Sequence, residues 1–203
     1  MNEPDEEAGL TTVARLLKER TAATHECVEA RLDLADHALD PARLRDVLTS
    51  LHAFWAGTEP VIDSWAAQHL DESASLRWSR RRRAHRLARD VEVLGGSTEV
   101  AAPPFVEVAD TAAVLGWLYV AEGSTLGGAV ITRALRRRHP DLHLEFFAPY
   151  DEGPGPMWKQ FQDRLESWAG GDELRTERVV NAGVAAFGAL EAWTAPLARE
   201  AVA

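Results

Sequence analysis

The chain carries one cysteine, Cys27, only two lysines, Lys18 and Lys159, among its 22 basic residues, and two tyrosines. It also contains no apolar run near the roughly 18 residues needed to cross a bilayer. A lone cysteine excludes an internal disulfide framework. The missing apolar run argues against a membrane span, and the acidic start MNEPDEEAG lacks the basic and apolar regions of a secretory signal. The expected location is therefore cytoplasmic, with no membrane partner. A net charge of −10 argues against nucleic acid as a partner, since phosphate binding needs a basic surface. Glu3, Asp5, Glu6 and Glu7 carry part of that charge without a compensating base, so residues 1–9 read as a disordered acidic N-terminus. With 203 residues, 46% of them hydrophobic, residues 10–203 suit one ordinary globular domain.

Apolar residues recur at helical spacing through Val13, Leu16, Leu17, Val28 and Leu32, and no sustained period-two stretch is found. The expected fold is all-α, a bundle of six to seven helices. The first helix is expected from about Thr11 to Leu34. Asp40 and Pro41 form a capped start for the second, which Pro60 should kink or restart. A third is expected from Ser73 to Leu94, ended by Gly95-Gly96. Asp110 caps a long segment with no proline until Pro140, room for a helix of about 28 residues. A shorter helix from Pro156 through Trp158, Phe161 and Leu165 should end at Gly170-Gly171, and Asp172 caps a last one running to about Arg199.

The long helix holds Gly116, Gly123 and Gly127, and each interior glycine costs about 1 kcal/mol relative to alanine. Their spacing places them within about 40° of one another on a single stripe. Such a stripe serves either close packing against another helix or a flat ligand lying on bare backbone. The cluster Gly123, Ser124, Gly127 and Gly128 is also an expected bend. On the first helix, Lys18, Thr21, His25 and Glu29 follow one another at spacings of three and four, along one side with Leu17 and Val28. An imidazole on such a stripe is commonly a hydrogen-bonded core residue. A carboxylate one turn on is also the partner that orients a metal-bound imidazole.

The stretch Leu17-Lys18-Glu19-Arg20-Thr21-Ala22-Ala23-Thr24-His25, with Glu29, resembles the proximal helix of heme oxygenases. Glu122-Gly123-Ser124-Thr125-Leu126-Gly127-Gly128 resembles their glycine-rich distal helix, in the same order. Phe146-Phe147 and Met157-Trp158-Lys159-Gln160-Phe161 are similar to the following segment in the bacterial branch associated with bacteriophytochromes. The resemblance covers roughly Leu10 to Trp193. It implies a heme oxygenase, which cleaves heme to biliverdin, iron and carbon monoxide with molecular oxygen and an external reductant. His25 would be the proximal iron ligand, and Gly123 and Gly127 would bring the distal backbone against the other heme face. Lys18 and Lys159 would contact the propionates, with Tyr119 near the same edge and Phe187 against the ring. Thr21 and Glu29 complete the proximal set. The implied partners are an electron donor, such as a ferredoxin or a flavoprotein reductase, and an apo-bacteriophytochrome receiving the biliverdin. Many family members carry an aspartate directly after the first distal glycine to organise proton-delivering waters, where this chain has Ser124. Ser124 is then either a water-holding catalytic hydroxyl or a helix-local hydrogen bonder.

Two rival readings remain: a non-catalytic heme carrier, and a dinuclear non-heme metal oxidase drawing on His25, Glu26, Glu29, His52, Glu59 and Glu122. Paired Glu-x-x-His motifs, which would mark the second, are absent. Cys27 reads as a small buried apolar residue. The seven tryptophans read as core and interhelix packing. The arginines from Arg77 to Arg89 read as a solvated basic face or as a docking surface for an acidic electron donor. Arg133, Arg136, Arg137 and Arg138 suit the negative end of a helix dipole, and they read also as an extension of the same docking surface or as contacts to a propionate.

Overall fold

The computed structural model describes residues 12–34, 40–99 and 107–198. The acidic segment 1–9 and the pair Pro103-Pro104 lie outside the described residues. Among those described there are eight α-helices and no strand, one helix more than the sequence suggested.

α1 (Thr12–Leu32) buries Val13, Leu17, Thr21, Val28 and Leu32 along one stripe and stops at Asp33, whose φ of +48° leaves the helical region. α2 (Pro41–Gln68) starts where the Asp40 carboxylate accepts from the Ala42 and Arg43 amides at 2.7 and 3.0 Å. It runs through Pro60 without restarting. The proline sits on the exposed side, where water can serve the carbonyl it leaves free.

The expected third helix is in fact three pieces: α3 (Leu70–Ser75), α4 (Trp78–Arg81) and α5 (Ala84–Val93). Arg77 takes a left-handed φ of +52°, and the backbone leaves the helix again at Arg82, so a uniform amphipathic face never forms. The cause is tertiary, because Arg81 and Arg83 turn inward to a buried carboxylate. Gly95, at φ +71°, closes α5 as expected.

α6 (Thr111–Arg138) is the long helix, 28 residues, capped by Asp110 through the Ala113 amide. Its two parts, Thr111–Gly128 and Val130–Arg138, meet at 46°, so the glycine cluster does bend it. α7 (Pro154–Ala169) begins two residues before the expected start, and α8 (Glu173–Thr194) ends before the expected Arg199. A short 3₁₀ turn follows α8 because Pro196 has no amide to donate.

α8 packs against both α1 and α6, α7 closes over these three, and α2 pairs with α5. Leu17, fully buried, shows how tight the centre is: a methyl group on Gly183 would collide with it. Burying a leucine of this kind contributes about 1.5–3 kcal/mol. Among the described residues no single helix is long and apolar enough to cross a membrane.

Candidate active site

α1 and α6 bring the expected residues toward each other through α8. Phe187 of α8, 5% exposed, meets the His25 imidazole edge-on at a centroid distance of 5.5 Å. Tyr119 of α6, one turn before Gly123, packs on the same phenyl ring at 6.3 Å. One aromatic thus joins His25 to the start of the glycine cluster.

His25 is not a core histidine. Its side chain is 43% exposed, and Nδ1 lies 3.5 Å from a Glu29 carboxylate oxygen. Among the described residues nothing bonds Nε2. An imidazole oriented through one nitrogen with the other free is what a metal-bound histidine requires.

The glycines of α6 divide into two groups. A Cβ on Gly116 would lie 2.5 Å from the Gly183 nitrogen, and one on Gly128 would strike the Phe147 carbonyl. These two pack against protein. At Gly123 and Gly127 a Cβ would meet nothing within 4 Å among the described residues, so there the backbone is bare. The close-packing reading of the stripe therefore holds at Gly116 and not at Gly123 or Gly127.

The remaining expected residues are placed as follows. Thr21 is buried and donates to the Leu17 carbonyl at 2.7 Å. Burial pushes the Tyr119 phenol up, offset by a hydrogen bond with Thr21, so it keeps its proton at neutral pH. Lys18 is exposed, with no ion pair among the described residues, and Lys159 is exposed with Asp163 at 3.1 Å. Ser124 donates to the Ala121 carbonyl at 2.7 Å, a helix-local bond that leaves its lone pairs free. Cys27 is half-buried rather than buried, because it lies at the α1–α8 edge, where Arg31 reaches it at 3.5 Å. A hydrogen bond to Glu191, then burial, pushes its thiol up.

The arginine run is solvated only in part: Arg77, Arg80 and Arg89 are exposed. Arg81 and Arg83 are 0% and 1% exposed, and both pair with Glu122 of α6. Arg80 pairs with Glu152, Arg82 with Asp63, and Arg86 and Arg89 with Glu145. Sequence reasoning placed Glu122 at the head of the distal stretch but gave it a role only in the rival metal site. Here it is committed to arginines, and no cluster of metal-ligating side chains occurs among the described residues. The four arginines ending α6, Arg133, Arg136, Arg137 and Arg138, are exposed without ion pairs among the described residues. A cavity of about 490 Å³ lies beside them, lined by Phe147, Pro149 and Tyr150 among others and not by His25 or Gly123.

Comparison with known proteins fits this arrangement. The family model for heme oxygenase matches residues 11–195. A heme oxygenase of Xanthomonas campestris pv. campestris is 36% identical over 146 residues, which cover 71% of this chain and 84% of that one. The crystal structure of the NO- and CO-bound heme oxygenase from Neisseria meningitidis superposes with a TM-score of 0.74 over 92% of each chain, at 18% identity, and so shares the fold. A family match over nearly all of the helical domain, joined to a close relative of known kind, leaves one conclusion: the chain belongs to the heme oxygenase family and is a heme-degrading enzyme.

Proposed function

We propose that heme lies between the His25 imidazole and the bare Gly123–Gly127 face of α6, and that the chain cleaves it to biliverdin, iron and carbon monoxide using molecular oxygen and an external reductant. The observation that carries this reading is the division among the glycines: protein fills the space at Gly116 and Gly128, and none of the described residues fills it at Gly123 and Gly127. Interior glycines destabilise a helix, and at these two positions no packing compensates. A flat ligand would.

When bound, heme supplies the iron that takes up electrons and oxygen and the meso carbon that is oxidised. His25 offers Nε2, while the Glu29 carboxylate, 3.5 Å from Nδ1, orients the ring. Phe187 restricts rotation of the imidazole from its edge. Lys18 and Lys159 are free to meet carboxylates, Lys159 by exchanging Asp163 for a propionate. Tyr119 adds a protonated hydroxyl near Thr21. Ser124 takes part in proton delivery by accepting a hydrogen bond from water and so orienting it, while its own O–H donates to the Ala121 carbonyl.

The electron donor in this reading is acidic, a ferredoxin or a flavoprotein, and it docks on the exposed arginines at the end of α6. The earlier arginine run is offset in part by Glu152, Asp63, Glu145 and Glu122, whereas the arginines ending α6 have no ion pair among the described residues. Biliverdin then passes to an apo-bacteriophytochrome, a partner suggested by the Glu122-Gly123-Ser124-Thr125 and Met157-Trp158-Lys159 segments. A cytoplasmic site of action belongs to the same reading and suits the free thiol of Cys27.

The test is a hemin titration of the wild type and H25A. The wild type should develop a Soret band that ascorbate or a ferredoxin system in air replaces with biliverdin absorption. H25A should lose the native ferric spectrum and most turnover while keeping its helical circular dichroism. Retention of the wild-type spectrum in H25A would refute the assignment.

A further inference from the structure

The bare part of α6 cannot set its own position. At Gly123 and Gly127 it has no side chain to pack, and the helix bends by 46° just beyond them. Something on the opposite face must hold the backbone at a fixed height. The residue immediately before Gly123 is Glu122, fully buried.

Its carboxylate is gripped from three directions. Arg81 Nη1 lies 2.5 Å from Oε2, Arg83 Nη2 lies 2.7 Å from Oε1, and the Tyr150 hydroxyl donates to Oε1 at 2.6 Å. The partners are themselves anchored. Arg81 donates to the Leu76 carbonyl at 2.6 Å, and to the Met157 carbonyl and Gln160 of α7 at 3.2 and 2.9 Å. Glu59 of α2 accepts from the amides of Arg83 and Ala84, where α5 begins. Arg83 also lies over the Tyr150 ring at 5.2 Å and donates to its hydroxyl at 3.0 Å. Burial, ahead of the Arg83 and Glu122 charges, pushes the Tyr150 phenol up to about 12, so the hydroxyl remains a donor. One polar hub therefore ties α2, the α4–α5 junction, α7 and the segment before α7 to a single side chain of α6.

We propose that Glu122 is a positioning residue. Held by Arg81, Arg83 and Tyr150, it sets the height of the Gly123–Gly127 backbone over the ligand space and so governs how much room a small molecule has on that side of the iron. The proposal rests on the heme placement argued above. It differs from a purely structural role, in which the hub would stabilise the fold without controlling the room above Gly123. Charge-assisted bonds in a dry interior have the directionality this needs, which apolar contacts lack.

The experiment compares wild type, Glu122→Gln, Tyr150→Phe and Thr194→Val. Thr194 is a control, a buried hydroxyl that donates to the Leu190 carbonyl at the end of α8. Two quantities are read beside the melting temperature: hydrogen-exchange protection of amides 123–128 in the heme-free protein, and cyanide affinity of the hemin-loaded protein. Tyr150→Phe removes one hydroxyl and should fold even if Glu122→Gln does not. Both hub variants should lose protection at 123–128 and shift cyanide affinity roughly tenfold, the size of effects transmitted through a metal's outer shell. Thr194→Val should lower the melting temperature and move neither quantity. Wild-type protection and cyanide affinity in Tyr150→Phe and Glu122→Gln would overturn the proposal, whatever their melting temperatures. Should the wild type show no His25-dependent hemin spectrum, the heme placement fails separately. The exchange measurement then decides alone: lost protection upholds the hub's hold on α6, and wild-type protection overturns it.

Discussion

Gly116 on α6 and Gly183 on α8 meet backbone to backbone, so that a single methyl group on Gly116 would lie 2.5 Å from the Gly183 nitrogen. Seven residues along the same stripe, Gly123 has open space where its methyl group would be. Alanine at the two positions should therefore act with opposite sign. Gly116→Ala should destabilise the heme-free protein by about 1–3 kcal/mol through overpacking. Gly123→Ala should stabilise it by up to about 1 kcal/mol through helix propensity and should weaken hemin binding. Urea denaturation and hemin titration measure both. Equal losses of stability at the two sites would contradict the division between packed and bare backbone.

The His25–Glu29 pair predicts a graded effect. Glu29 is 68% exposed at the side chain, so its pull on the imidazole is screened by water. Glu29→Gln should lower hemin affinity by less than the 10- to 100-fold typical of well-buried outer-shell partners, and should shift the ferric spectrum. Glu29→Gln with hemin affinity and spectrum identical to wild type would show that the carboxylate does not orient the ring.

Acid sensitivity follows from His52. It is buried in α2, and burial, opposed by Glu92, pushes it below the ordinary histidine value of 6.5. The folded protein then binds fewer protons than the unfolded chain between that lower value and 6.5, so stability present above 6.5 is lost as the pH falls through this window. His85 shifts in the same direction, while Glu59 and Asp90, pushed up by burial, act in the opposite sense in the carboxylate range. Thermal melts at several pH values between neutrality and mild acid should show the decline, and His52→Gln should flatten it. A decline unchanged in His52→Gln would assign the effect to other groups.

Electron delivery offers the fourth prediction. Arg133, Arg136 and Arg137 are exposed and free of ion pairs among the described residues. Replacing all three by glutamate should raise the KM for an acidic ferredoxin and reverse the sign of its dependence on ionic strength, leaving ascorbate-driven turnover in place. The same triple change at Arg80, Arg86 and Arg89, which are already paired with Glu152 and Glu145, should do less. The reverse order of effects would move the docking face to that run.

What could be read without coordinates was whatever depends on neighbours in the chain. The caps at Asp40, Asp110 and Asp172, the glycine stop at Gly95, the bend of α6 and the approach of Glu29 to His25 all involve groups a few residues apart, where backbone geometry leaves little choice. Tertiary structure decided the fate of the same residue types at long range. Which glycines are packed and which are bare depends on where α8 and Phe147 lie. Arg81 and Arg83 are drawn inward, and the third helix is broken, because a buried carboxylate 39 residues from Arg83 and a carbonyl 76 residues from Arg81 are among the partners that satisfy their charge. Helical periodicity records which side a residue faces along its own helix. Only the packing of helices against one another determines what waits on that side.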